Sequence, residues 1–133
     1  MEPKATIIFC DSIVNTLSNG KIVPSISRPI TCITPRHIPG NYTFAVFFSI
    51  ENVSVGNHLL QIIMNNTNGE KMFDTNTIEL NPTLQTLGGS FAPIEISAEI
   101  RNAVIEAAGQ IEAQVYLDGE MIDSNTLGVN QKN

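Results

Sequence analysis

Charged side chains are scarce in this sequence, and no apolar stretch is long enough to cross a membrane as a helix. Asp, Glu, Lys and Arg make up 15% of the 133 residues, and the formal net charge is −6. A chain with so little positive charge lacks the basic field that holds phosphate backbones. A membrane-spanning helix needs roughly 20 apolar residues in a row. We therefore expect a protein that binds neither nucleic acid directly nor a membrane.

The first residues also lack the apolar segment of a secretory signal. The apolar run Ala5–Cys10 has only the length of a strand, and Asp11 follows it at once. This pattern predicts a cytoplasmic protein. In that compartment we expect Cys10 and Cys32 to be reduced and buried as small apolar side chains, rather than joined in a disulfide.

Residues that carry chemistry are few and poorly spaced. The cysteines Cys10 and Cys32 and the histidines His37 and His58 form no close ligand pair of the CxxC or HxxxH kind, so we expect no metal site. A nucleophilic thiol would need a base and an orienting carboxylate, and only Cys10 or Cys32 with His37 and Asp11 offers that set. A cysteine in a strand and a histidine in a loop explain these residues without catalysis. We therefore expect no enzymatic activity and no cofactor.

Alternation of apolar and polar residues predicts β-strands in the second half of the chain. Ile94–Arg101 and Ile111–Asp118 both alternate with a period of two, which is typical of strands with one buried face. The dipeptide Asp118-Gly119 follows the second strand and favours a type I′ turn, because both central positions of that turn need positive φ. The sequence therefore predicts a hairpin whose return strand begins at Glu120–Ile122.

Two further segments are apolar on both faces and predict central strands covered on both sides, namely residues 41–50 and 58–64. Turn residues at 65–70 predict a second hairpin. One helix is expected at most, a short one at Arg101–Ala108 that ends at Gly109. Closely spaced strands without helical crossovers favour a single all-β domain over residues 1–133, an antiparallel immunoglobulin-like β-sandwich.

Two stretches rich in proline and glycine interrupt this pattern. Residues 15–40 contain four prolines, which predict a meandering edge of the sheet because proline is excluded from central strands. Residues 81–93 predict a long polar loop.

Charge is unevenly distributed along the chain. No acid occurs between Ser12 and Ile50, whereas seven acids and one base occur between Glu95 and Asp123. If the outward faces of the two acidic strands adjoin, they form one acidic sheet that could bind a basic partner or could simply be solvated. The basic, proline-rich stretch around Arg36 could serve self-association or could protect an edge strand from strand addition. The candidate partner-binding residues are Glu95, Glu99, Glu112, Tyr116, Asp118, Arg36 and His37.

Three segments resemble an uncharacterised family of small bacterial proteins of about this length, which are of unknown function and predicted to be immunoglobulin-like β-sandwiches. The segments are Pro3–Ser12, Pro35–Asn41 and the hairpin Gly109–Gly119. The similarity spans most of the chain but not the stretch 81–93. The resemblance implies an intracellular or mobile-element protein with no assigned activity, and it transfers no catalytic residues.

These observations favour a non-enzymatic protein-interaction module that binds a protein partner, either a different protein or another copy of itself, through a loop end, a sheet edge or the acidic sheet. The alternative is an inhibitor carried by a phage or mobile element that blocks a bacterial defence complex through an acidic face. A sandwich enzyme that uses the region of Cys10, Cys32 or His37 is the third hypothesis.

Overall fold

The computed structural model describes residues 2–81 and 93–131, and every regular element in these residues is a β-strand. The strands are β1 (Lys4–Ser18), β2 (Lys21–Pro29), β3 (Cys32–Ile33), β4 (Gly40–Glu51), β5 (His58–Asn65), β6 (Lys71–Asp74), β7 (Ile78–Leu80), β8 (Ile94–Ile105), β9 (Gly109–Leu117) and β10 (Glu120–Val129). The predicted all-β class is confirmed.

The strands form two sheets. The first sheet has the order β2-β1-β4-β8, and the second has the order β3-β10-β9-β5-β6, with β7 also paired to β5. Each of these pairings is antiparallel except the short parallel contact of β3 with β10. The antiparallel character that the sequence predicts is therefore confirmed.

A single apolar core lies between the two sheets. In β4 every second side chain points into this core, and Phe44, Val46 and Phe48 are completely buried there. Strands β5 and β9 supply Leu60 and Ile111 to the same cluster from the opposite sheet. Burial of each such side chain stabilises the fold by about 1.5–3 kcal/mol relative to exposure. The sheets consequently pack face to face.

The prediction of strands covered on both sides is right for β4 and wrong for β5. The outward residues Ala45 and Phe47 of β4 are also buried, at 1% and 9% exposure. In β5, however, Leu59 is 47% exposed and Ile63 is half-buried. Hydrophobicity alone does not show whether anything covers the second face of a strand, and among the described residues the outer face of β5 is only partly covered.

The predicted helix at Arg101–Ala108 is wrong, because β8 continues to Ile105. A β-bulge places Arg101 and Asn102 together opposite Thr43, and Asn102 adopts a φ of 52°. The hydroxyl of Thr43 accepts a hydrogen bond from the backbone N–H of Asn102 at 3.0 Å. Since the bulge inserts one residue, Ile100, Ala103 and Ile105 all face the core. This spacing imitates a helical pattern in the sequence.

Both predicted hairpins are present. Asp118 and Gly119 have φ values of 52° and 84°, as a type I′ turn requires, and β10 follows directly. The second hairpin joins β5 to β6, where the N–H of Gly69 donates to the carbonyl oxygen of Asn66 at 2.9 Å.

The stretch 15–40 is more regular than predicted. Strands β1 and β2 form a long hairpin around Asn19-Gly20, whose φ values of 51° and 76° also indicate a type I′ turn. Strand β2 contains Pro24 and lies at the edge of the first sheet, so the expected edge position is confirmed. Most of the predicted polar loop, residues 82–92, lies outside the described residues.

Candidate interaction surfaces

The distal half of the β1–β2 hairpin leaves the first sheet, and we call residues Ser12–Ser27 the arm. Strand β1 pairs with β4 only from Lys4 to Cys10. From Ser12 onward, β1 pairs only with β2 among the strands that the structure describes. The arm is therefore a two-stranded ribbon, a structure that is marginally stable in water without further packing.

The arm crosses the outer face of the first sheet. At its base, Arg28 has a φ of 56° and its guanidinium lies 3.3 Å from the carboxylate of Asp11. Some Cα atoms of β1 and β8 lie within 8 Å although β4 separates these strands in the sheet. Two strands with a third strand between them in a flat sheet are normally about 9.5 Å apart. The shorter distance therefore indicates that part of β1 bends over β4 towards β8. Beyond the base, Ile13 and Asn15 line a cleft of about 170 Å³ with Ala45 and residues 97–99 of β8.

Apolar side chains are exposed along the arm. Leu17 and Ile22 form a cross-strand pair beside the turn and are 76% and 74% exposed. Val14 and Val23 are 55% and 43% exposed. Leu17 and Ile22 are contiguous on one face of the ribbon, whereas Val14 and Val23 lie on the other. Contiguous exposed apolar side chains mark interaction sites on soluble proteins. The arm is the strongest candidate for such a site in the described part of the chain.

A second cluster joins Ser54, His58 and Asp118 at the other end of the strands. Nδ1 of His58 lies 2.7 Å from a carboxylate oxygen of Asp118. Nε2 of His58 lies 3.2 Å from the hydroxyl of Ser54 and 2.9 Å from the carbonyl oxygen of the same residue. Asp118 also accepts a hydrogen bond from the N–H of Leu59 at 2.9 Å.

Ser54, His58 and Asp118 are connected in the same way as the nucleophile, base and acid of a catalytic triad, with the histidine in the middle. Their hydrogen bonds nevertheless favour a structural role. A base must accept the proton of the serine hydroxyl at Nε2. The shorter contact of Nε2 is to the Ser54 carbonyl oxygen, which can only accept, so Nε2 of His58 donates to it. His58 then donates from both ring nitrogens. Its imidazolium clamps the loop before β5 to the β9–β10 turn.

An adjoining cleft gives no further support for catalysis. It has a volume of about 360 Å³ and is lined by Asn57, His58, Leu59, Glu79, Leu80 and Asn81. Of the three residues of the cluster, only His58 lines this cleft among the described residues. A molecule bound in the cleft would therefore contact neither the hydroxyl of Ser54 nor the carboxylate of Asp118.

The clamp predicts a specific pH dependence of stability. The hydrogen bond to Asp118 raises the pKa of His58 above its ordinary value of 6.5, and the hydrogen bond from His58 lowers the pKa of Asp118 below 3.8. The stabilisation from His58 is present below 6.5 and is lost as the pH rises through the folded-state pKa. The stabilisation from Asp118 is present above 3.8 and is lost as the pH falls through its folded-state pKa.

We expect Asp118→Asn to lower the urea midpoint of unfolding most between pH about 4 and 6.5, and progressively less above that window. Asparagine tolerates positive φ and can still accept from Leu59, so the variant removes chiefly the charge. Midpoints of both proteins measured from pH about 5 to 9 check this expectation. A difference that grows with pH would contradict the clamp.

The predicted acidic residues do not form one sheet. Glu95 and Glu99 lie on β8 in the first sheet, whereas Glu112 and Tyr116 lie on β9 in the second. The premise that their faces adjoin is therefore wrong, because the order of strands along the chain does not determine which sheet each strand joins. Glu99 is paired with Arg101 at 3.0 Å.

The remaining candidates lie apart from these strands. Arg36 and His37 are exposed in the connection between β3 and β4. Asp118 belongs to the clamp described above. The carboxylate of Glu112 accepts from Gln114, whose side-chain oxygen accepts from the hydroxyl of Tyr116 at 3.0 Å. The seven candidates thus occupy several separate surfaces.

The two cysteines differ in burial. Cys10 is fully buried, as predicted, and burial raises the pKa of its thiol. Cys32 is exposed, contrary to prediction, because β3 directs Ile33 into the core and its neighbour outward. Both thiols are free. No hydrogen bond of the described residues joins either thiol to His37.

Two further results concern residues 2–81 and 93–131. No group of three or more His, Cys, Asp or Glu side chains in these ranges is placed to hold a metal ion. No helix in them is long and apolar enough to cross a membrane.

The fold defines the chain as an all-β protein of two packed, mainly antiparallel sheets with an exposed two-stranded arm. The chain belongs to the family of unknown function DUF6941, whose model matches residues 5–130. The expectation of an uncharacterised family is thereby confirmed. None of the curated proteins matches the chain.

The fold is similar to part of a solved DNA glycosylase. That structure is the Pseudomonas fluorescens alkylpurine DNA glycosylase AlkC, bound to DNA containing an abasic site analog, with 12% identity and a TM-score of 0.51. The match covers 96% of this chain and 30% of the glycosylase chain. At this identity the likeness concerns the fold alone.

Proposed function

We propose that the chain is a non-enzymatic protein-interaction module of the bacterial cytoplasm, built as an immunoglobulin-like β-sandwich, and that the arm is its binding surface. The observation that carries the proposal is the exposed cross-strand pair of Leu17 and Ile22 at the tip of the arm. The core needs neither residue, since neither belongs to the cluster that joins the sheets.

Burial of the arm tip against a partner would contribute favourably to binding. Full burial of a leucine or isoleucine side chain is worth about 1.5–3 kcal/mol. The arm contains no acid, and its one cation, Lys21, is solvated. Binding at the arm therefore requires no desolvation of paired charges, which would offset the gain.

One predicted partner-binding residue adjoins the arm. Glu99 lines the same cleft as Ile13 and Asn15. A partner that covers the arm would reach this carboxylate at its rim, where charges influence association rate and partner choice more than affinity. The alternative, an inhibitor that acts through an acidic face, has less support, because Glu95 and Glu99 lie in one sheet and Glu112 in the other.

Site-specific photocrosslinking tests this proposal. A photoreactive amino acid is placed at Leu17 or, as a control, at Met121, which is 52% exposed beside the β9–β10 turn. In cells that naturally carry the gene, we expect position 17 to give discrete protein adducts and position 121 to give none. Equal adducts from both positions, or none from position 17, would remove the arm as the binding surface.

A further inference from the structure

We propose that the partner of the arm is a second copy of this chain, which adds its own segment Ser12–Ser18 antiparallel to the same segment of the first. A twofold axis would pass through the pair formed by the two Asn15 residues. The result is a continuous four-stranded ribbon with the order β2-β1-β1-β2. This inference rests on the proposed function of the arm and names its partner.

The hydrogen-bonding pattern of the arm leaves one edge of β1 available. In the type I′ turn, Ser18 and Lys21 are the first and fourth residues and form a hydrogen-bonded pair. Such pairs alternate along an antiparallel ladder. Hence Ser12, Val14 and Thr16 bond to β2, while the N–H and C=O groups of Ile13, Asn15 and Leu17 point away from it.

The position of Pro24 agrees with this alternation. Pro24 lies opposite Asn15 in the register of β1 and β2. Because Asn15 directs its backbone groups away from β2, the missing N–H of Pro24 removes no hydrogen bond from the hairpin. The proline instead blocks the solvent-facing edge of β2.

The two edges of the arm are protected very differently. The outer edge of β2 carries Pro24 and Pro29 together with Lys21 and Arg28, residues that natural proteins use to prevent strand addition. The edge of β1 from Ser12 to Ser18 contains no proline, glycine or charge. A cleft of about 170 Å³ between Ile13, Asn15 and strand β8 lies beside this edge. This unprotected edge is the one that can accept another strand.

The segment is complementary to itself when it runs antiparallel about Asn15. Apolar Ile13 faces Leu17, Val14 faces Thr16, and Ser12 faces Ser18. The interface is isologous, as a twofold dimer requires. About six main-chain hydrogen bonds form from residues 13, 15 and 17 of both copies. No charged side chain of the segment meets a like charge, which favours a second copy over an arbitrary strand.

Sedimentation velocity of the full chain tests the dimer. The buffer contains a reductant because Cys32 is exposed. We expect the 14.5 kDa chain to convert to a dimer as its concentration rises. Asn15→Pro removes the N–H at the twofold axis but no hydrogen bond to β2, so it should weaken dimerisation about tenfold or more.

The control is Met121→Ala, a substitution at an exposed apolar position beside the β9–β10 turn and outside the arm. This variant should dimerise like the parent, and circular dichroism should show that both variants remain folded. A parent dimer that Asn15→Pro leaves intact would overturn the inference, as would a parent that is monomeric at every concentration. If that monomer still crosslinks from Leu17 to a different protein, the inference fails while the proposed function stands.

Discussion

Leu60→Ala is expected to lower the free energy of unfolding by about 3 kcal/mol, within the range measured for leucine truncations in cores. Leu60 is completely buried between the sheets and packs in the cluster that contains residues of both. Truncation removes transfer free energy and leaves a cavity that the neighbouring strands fill only in part. Because a domain of this size is stable by about 5–15 kcal/mol, the loss is easily measured by urea unfolding.

The adjacent leucine is the matched control. Leu59 is 47% exposed on the outer face of the same strand, so Leu59→Ala should change stability by less than about 1 kcal/mol. Equal losses from the two variants would show that β5 is covered on both faces. That result would contradict the arrangement of the second sheet described above.

Gly40→Ala is the substitution with the second-largest expected effect. A Cβ atom at this position would overlap the backbone carbonyl oxygen of His37, and a backbone atom cannot move aside as a side chain can. Gly40 also pairs with Ile105 at the start of β4, so the strand would have to shift against β8. We expect a loss of about 1–3 kcal/mol in unfolding free energy, measured by the same urea titration.

Gly128→Ala is the control for Gly40→Ala, because it adds the same methyl group to a strand at a position with room for it. At Gly128 in β10, a new Cβ would meet its nearest atom, the carbonyl oxygen of Thr31, at an ordinary contact distance of 3.5 Å. Gly128→Ala should therefore cost clearly less than Gly40→Ala. The reverse order would mean that the connection before β4 can rearrange without loss.

Local patterns in the sequence predict much of the fold because strands and tight turns depend on neighbouring residues. Alternation locates β8 and β9, and Asp118-Gly119 locates the turn that follows. The same alternation does not predict the bulge at Asn102. The one extra residue interrupts the period of two, so the buried positions of β8 acquire a spacing similar to that of a helix. The hairpin at Asn19-Gly20 carries an equally strong local signal, which the surrounding prolines obscured.

The candidate surfaces depend on long-range pairing that no local pattern contains. Glu95 and Glu112 lie on similar alternating strands, yet one pairs with β4 and the other with β5. His58 and Asp118 are 60 positions apart and meet only because β5 pairs with β9. The exposure of the arm likewise follows from where the pairing of β1 with β4 stops, at Cys10.

We propose that the arm, rather than another surface of comparable exposure, holds the partner. The photocrosslinking comparison of positions 17 and 121 measures this most directly. We expect adducts from position 17 alone, including one at twice the mass of the chain when the partner is a second copy. Adducts that form from Met121 while position 17 stays silent would contradict it.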